Sequence, residues 1–154
     1  MPTHRGHEME MLVALIGLTG TDFSRNLPQL SGKTVHNFLP DIWLALMAAY
    51  DPAETALRVP EATDMLVAHL YRTKFRKLEP RDHGLEATLE ALQRSKLAQR
   101  TKDSLPSVGR VQCTVRNANW LLAYWSRDDG ETPDPIQPAY GFRTLPSGAT
   151  AYDD

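Results

Sequence analysis

The chain has 154 residues, of which 42% are hydrophobic and 23% charged, with a formal net charge of -2. This balance excludes an intrinsically disordered chain, and the length suits one domain with a core of its own. The longest apolar runs are shorter than the ~20 residues of a membrane-spanning helix, and the N-terminus lacks the basic-then-apolar order of a signal peptide. We therefore expect an intracellular protein, nuclear or cytoplasmic, with no membrane partner.

The charge is distributed unevenly along the chain. Residues 1–71 carry four Lys/Arg and eight Asp/Glu (-4), residues 72–116 carry eleven and five (+6), and residues 117–154 carry two and six (-4). A basic middle between acidic ends is an electrostatic pattern that suits an anionic polymer such as nucleic acid. A set of solvated helix faces would explain the same counts.

Hydrophobic periodicity predicts a helix over residues 8–19, which should end near Gly17 to Gly20. A turn-rich segment follows. The helical pattern resumes at Thr34, but Pro40 cannot sit in a helix interior without removing a backbone hydrogen bond. We expect a break or kink there and a further helix over residues 41–50.

Three more helices are predicted in the second half of the chain. Pro60 is placed to be the first residue of a helix that reaches about residue 75, residues 85–102 have an amphipathic pattern, and residues 111–125 have apolar residues at three- and four-residue steps. Residues 127–154 are rich in acidic residues and proline, which favours irregular structure. The prediction is a mainly α protein, with one helical domain over residues 1–126 and an irregular tail over residues 127–154 that packs on or trails from it.

A short polar run, Ser31, Gly32, Lys33 and Thr34, is similar to the end of a phosphate-binding loop. The full pattern requires a glycine five residues before Gly32, where this chain has Leu27. The match to a nucleotide-binding loop is therefore accidental.

The isolated histidines and the single cysteine are weaker candidates for functional residues. His4, His7 and Glu8 could supply metal ligands, but they lie at a terminus that is expected to fray. Cys113 lies in an apolar helical segment with no histidine close in sequence, so it is predicted to be a small buried hydrophobe. It has no second cysteine with which to form a disulfide.

The basic stretch at residues 71–77 contains three cations that could contact phosphates: Lys74, Arg76 and Lys77. Tyr71 and Phe75 belong to the same stretch, and aromatic rings can stack on nucleic-acid bases. The four-residue spacing of these two rings equally describes the buried edge of an ordinary helix.

The segment from Met11 to about Tyr50 resembles the later part of flap endonucleases and XPG-type 5′ nucleases, which act in DNA replication and repair. In that family an apolar helix leads to a Gly-Ser/Thr-Asp-Tyr/Phe motif, then to a hairpin that holds the DNA backbone, then to another helix. Here the motif is Gly-Thr-Asp-Phe at residues 20–23, and the hairpin position is residues 27–34. The resemblance implies a helix-hairpin-helix-like part at about residues 11–50.

The resemblance also implies site residues and a cofactor. The family aspartate is a ligand of the activating divalent metals, so Asp22 is the expected ligand of Mg²⁺ or Mn²⁺. Residues 31–34, with Lys33 at the lysine position, would contact duplex or flap DNA. Gln29 and Ser31 stand where the family has glycines.

Two-metal hydrolysis needs several carboxylates around the ions, and the family draws most of them from a region upstream of this motif. We therefore expect a C-terminal nuclease portion that is weak or inactive alone and is completed by an N-terminal nuclease region or another subunit. The alternative is a non-catalytic helical module that docks a protein partner through the aromatic segment at residues 120–125.

Overall fold

The computed structural model describes residues 7–19, 39–74, 84–94, 105–127, 133–134 and 136–153. These parts of the chain are mainly α-helical, as predicted, and the strands form two small two-stranded sheets. The helices are α1 (Glu8–Thr19), α2 (Leu39–Ala49), α3 (Val59–Glu61, Ala62–Val67 and Ala68–Lys74 in unbroken succession, the middle part π-helical), α4 (Leu85–Arg94) and α5 (Val108–Trp125). The strands are β1 (Tyr50–Asp51), β2 (Ala56–Leu57), β3 (Phe142–Thr144) and β4 (Thr150–Tyr152).

Local chemistry sets the starts of the helices. Pro40 is the second residue of α2 and Pro60 lies in the first turn of α3, positions where a missing N–H removes no helical hydrogen bond. Ser107 caps α5, because its Oγ accepts a hydrogen bond from the backbone N–H of Arg110 at 3.1 Å. This cap starts α5 at Val108, three residues before the predicted start at residue 111. The predicted extension of α4 over residues 95–102 lies outside the described residues.

The hydrophobic core is formed between helices, with α5 packed closely on α1. The two helices approach closely at Gly17, where a Cβ atom would lie 2.8 Å from both Cα and Cβ of Ala118. Buried side chains of α1, α2, α3, α4 and α5 join in one cluster, and the largest of them that are fully buried include Met11, Leu46, Leu66, Leu92 and Leu122. The helical part is therefore held together as one unit.

A short hairpin joins α2 to α3. Tyr50 pairs with Leu57, and Asp51 pairs with Ala56. Buried Asn119 of α5 completes the hairpin, since its side chain accepts from the Leu57 N–H at 2.7 Å and donates to the Leu57 carbonyl at 3.0 Å. The hairpin is thereby fixed to the longest described helix.

The described part of the C-terminal tail contains regular structure, where the sequence predicted an irregular segment. A 3-10 turn over Pro138–Tyr140 leads into an antiparallel hairpin in which Phe142 pairs with Tyr152 and Thr144 with Thr150. Gly148 has a φ of +87° in the connecting turn and donates its N–H to the Leu145 carbonyl, a conformation that glycine adopts without steric cost. Strands of three residues are too short to show a clear alternation in the sequence, which is why the prediction missed them.

Candidate nucleic-acid interface

Most residues of the predicted interface lie outside the described parts of the chain. These are Asp22, the run 31–34 (Ser31, Gly32, Lys33 and Thr34), Arg76 and Lys77. Lys74 is the last residue of α3, and only its backbone is described. The structure therefore describes the helices that border these residues, and the roles of the residues themselves remain predictions.

Two helices border the segment that carries the Gly-Thr-Asp-Phe motif and the hairpin position. α1 ends at Thr19, one residue before the motif, and α2 begins at Leu39. Both helices are anchored, because α1 buries Met11, Leu15 and Leu18 in the core and α2 buries residues such as Ile42. The two ends of the segment are consequently held in place by the core.

Arg58 holds the C-terminal end of α2 against the β1–β2 hairpin. Its guanidinium donates to the carbonyl of Ala48 at 3.2 Å and to that of Tyr50 at 3.0 Å, and it lies 3.9 Å from Asp51 Oδ1. A cation at a helix C-terminus complements the helix dipole. This arginine is therefore engaged in holding the fold.

Tyr71, near the end of α3, could either stack on a nucleic-acid base or form the buried edge of the helix, and the structure decides between the two. Its side chain is completely buried in the core, and burial raises the pKa of its hydroxyl above the ordinary tyrosine value. Tyr71 forms the buried edge of the helix and does not offer a ring for base stacking. Its neighbour Arg72 donates from Nε to Thr88 Oγ1 at 3.0 Å, which ties α3 to α4.

Among the residues that the structure describes, three carboxylates line the hollow between α3 and the start of α4. This open hollow has a volume of about 420 Å³ and is lined by Asp64, Gly84, Glu86, Glu90 and neighbouring α4 residues. Negative side chains repel phosphate, so these described lining residues do not favour contact with the DNA backbone.

The described residues do not assemble a metal site. Within the described ranges, His, Cys, Asp and Glu side chains form no group of three or more that could hold an ion. Of the N-terminal residues considered as ligands, Glu8 is exposed, and His7 lies beside the carboxylate of Glu10, with Nδ1 and Oε1 4.0 Å apart. His4 lies outside the described ranges.

Polar residues in the middle of α5 were not singled out by the sequence analysis. Asn117 and Asn119 are both buried, and each hydrogen-bonds the backbone of a different segment, Asn117 that of the tail and Asn119 that of the β1–β2 hairpin. The available signal was their spacing, because Asn117 lies four residues after Cys113 and Asn119 four residues after Val115, and buried amides are retained where they have hydrogen-bond partners. Cys113 is buried as predicted.

Aromatic residues near the end of α5 pack under the tail. Trp120 is buried, stacks on Tyr124 with ring centres 5.4 Å apart, and meets Phe142 edge to face at 6.1 Å. The guanidinium of Arg127 lies 3.7 Å from the centre of the Tyr124 ring. Of this aromatic segment, Trp125 remains 47% exposed.

Among the described helices, none is both long and apolar enough to cross a membrane.

Comparison with protein-family models, with curated proteins and with solved structures finds no match for this chain. A function must therefore be argued from the residues of the chain itself.

Proposed function

We propose that this chain is the nucleic-acid-binding, C-terminal portion of a flap-endonuclease-like, metal-dependent 5′ nuclease. One observation supports the proposal most directly: the segment that resembles the family motif is bordered by α1, which ends at Thr19, and α2, which begins at Leu39. A helix on each side of the segment agrees with the helix, motif, hairpin and helix order of the family. In the proposal, residues 31–34 hold the backbone of duplex or flap DNA.

Lys74, Arg76 and Lys77 add phosphate contacts in this proposal. They follow Tyr71 of α3 in the sequence, and Tyr71 is buried in the core. Because Arg58 and Arg72 are engaged in intramolecular hydrogen bonds, the proposal assigns DNA binding to the lysines and to Arg76.

Catalysis requires more than the described residues supply. Asp22 would hold Mg²⁺ or Mn²⁺ together with carboxylates from an N-terminal nuclease region or another subunit. Because the family draws most of its metal-binding carboxylates from a region upstream of this motif, we expect the chain alone to be weak or inactive as a nuclease.

The test of DNA binding is fluorescence anisotropy with duplex and flap DNA across a salt series. We expect affinity to fall steeply with salt, and we expect Lys33→Ala and Lys74→Ala/Lys77→Ala to weaken binding and make the slope shallower by about one unit per lost phosphate contact. The matched controls are Arg94→Ala and Arg94→Ala/Arg143→Ala. Arg94 and Arg143 are exposed in the described part of the chain, so these variants remove the same charge elsewhere.

Equal effects of the test and control variants would show that only total charge matters and would contradict an interface at Lys33 and Lys74. No binding at low salt would reject the proposal outright. For the nuclease part, metal-dependent flap cleavage should appear when an N-terminal nuclease region is supplied and should be lost in Asp22→Ala.

A second candidate function is a non-catalytic protein-interaction module. It is favoured by large apolar side chains that the fold leaves exposed, above all Leu44 of α2, at 77% exposure, and Met65 of α3, at 53%. Crosslinking in native extract should then capture a partner with the wild type and lose it with Leu44→Gln. A chain that stays monomeric and uncrosslinked would reject this candidate.

A further inference from the structure

The C-terminal strap, by which we mean the described residues between 133 and 153, is attached to the helical part through α5. Trp120 donates its indole N–H to the Pro133 carbonyl at 3.0 Å. Asn117 donates its side-chain amide to the carbonyl of Tyr140 at 2.9 Å and to that of Gly141 at 3.4 Å. These hydrogen bonds come from one helix and lie within one turn of it.

Gly141 of the strap lies close against α5. Its φ is +70°, and a Cβ atom there would lie 3.0 Å from Asn117 Nδ2 and 3.1 Å from the Cys113 carbonyl oxygen. The Cys113 sulfur lies 3.4 Å from the Gly141 carbonyl oxygen, and its side chain has no exposed surface. The strap therefore covers the only cysteine of the chain.

The main core does not depend on the strap. Among the described residues, the continuous hydrophobic cluster extends from Met11 to Leu122 and includes none from the strap. The strap adds its own ring contacts instead, from Phe142 to Trp120 and from Phe142 to Tyr152 at 5.7 Å. Opening the strap would break its hydrogen bonds to α5 and its ring contact with Trp120, and it would remove no residue from the interhelical cluster.

We propose that the strap opens from α5 as a unit while the helical core stays folded, and that this opening is the step that exposes the Cys113 thiol. Segments with few buried apolar contacts open with a smaller free energy than the whole molecule needs to unfold. The thiol thus becomes accessible to oxidants and alkylating reagents only through strap opening. This inference is independent of the proposed nuclease role.

The test is the rate at which Cys113 of the full chain reacts with an aromatic disulfide reagent at increasing urea, compared with global unfolding followed by far-ultraviolet circular dichroism. Because the chain has one cysteine, the reaction reports a single site. We expect slow labelling that depends only weakly on urea below the unfolding transition, because partial opening exposes less surface than global unfolding.

A pair of substitutions on α5 provides the matched comparison. Asn117→Ala removes the hydrogen bonds to the strap together with the 3.9 Å contact between Asn117 Oδ1 and Cys113 Sγ. Asn119→Ala removes two hydrogen bonds to Leu57 in the other hairpin. We expect Asn117→Ala to label roughly ten- to a hundredfold faster under native conditions. Asn119→Ala should lower global stability but leave the native labelling rate within about twofold of the wild type.

Three results would overturn the inference. If labelling of the wild type has the same free energy and urea dependence as global unfolding, the strap does not open separately. Equal acceleration by the two asparagine variants would show that Asn117 does not hold the strap. Immediate labelling in water would contradict a closed strap. If Asn117→Ala does not fold, Gly141→Ala provides the second variant, with faster labelling expected because of the positive φ.

Discussion

The packing of α1 on α5 predicts that Gly17→Ala destabilises the protein, although alanine is the better helix former. A Cβ atom at position 17 would lie 2.8 Å from Cα and Cβ of Ala118, and one of these is a backbone atom that cannot rotate away. Non-bonded carbons prefer about 3.5–4.0 Å, so the two helices must separate by roughly 1 Å at this point. The separation loosens the packing of Met11, Leu15 and Leu18 around it.

The size of the loss in stability caused by Gly17→Ala follows from two opposing effects. Replacing glycine in a helix interior gains about 1 kcal/mol of intrinsic stability, whereas forcing an extra methyl group into a packed interface costs typically 1–3 kcal/mol, sometimes more. Because the new methyl group would meet the backbone of Ala118, we place the packing cost at the upper end of this 1–3 kcal/mol range. We expect a net loss of about 1–2 kcal/mol in the free energy of unfolding, which for ~150 residues is roughly 2–8 °C in Tm.

Urea unfolding followed by circular dichroism measures this loss. The matched control is Gly109→Ala in the first turn of α5, where a Cβ atom would meet only Ser107 Oγ at 3.9 Å, so this variant should be neutral or slightly stabilising. The double variant Gly17→Ala/Ala118→Gly should recover only part of the loss, since the backbone of residue 118 still lies against the added methyl group. A Gly17→Ala protein at least as stable as the wild type would refute the close approach of the two helices.

Two further predictions concern buried polar groups. Asn119→Ala should lower the free energy of unfolding by about 2 kcal/mol, because it leaves the N–H and carbonyl of Leu57 without their side-chain partner; an unchanged urea midpoint would contradict this. Burial raises the pKa of Tyr71 and of Tyr50, with Glu10 contributing at Tyr50. Because the native state then holds these protons more tightly, their contribution to stability is complete below about pH 10, the ordinary tyrosine pKa, and is lost as the pH rises through the raised values. When urea unfolding is measured between pH 8 and 11, the midpoint should decrease above pH 10, and it should decrease less in Tyr71→Phe.

Much of the helical framework could be predicted from the sequence. The bounds of α1 agree with the periodicity, and α3 begins at Val59, one residue before the predicted start at Pro60. For the candidate interface, the sequence supplied the motif and its cations, and these remain predictions. Periodicity could not decide whether Tyr71 offers its ring to a nucleic acid, because a buried helix edge has the same spacing. The packing of α3 decided that it is buried.

The sequence by itself determined which segments form most of the helices, because helix periodicity and a residue such as Pro60 act within a few positions of themselves. Only the tertiary structure decided that Gly17 meets Ala118, that Asn119 holds Leu57, and that Gly141 of the tail lies on α5. These partners are far apart along the chain, and a side chain's type does not specify which distant backbone it will meet. That choice is made by the packing of the helices, which brings the remote groups together and excludes water from between them.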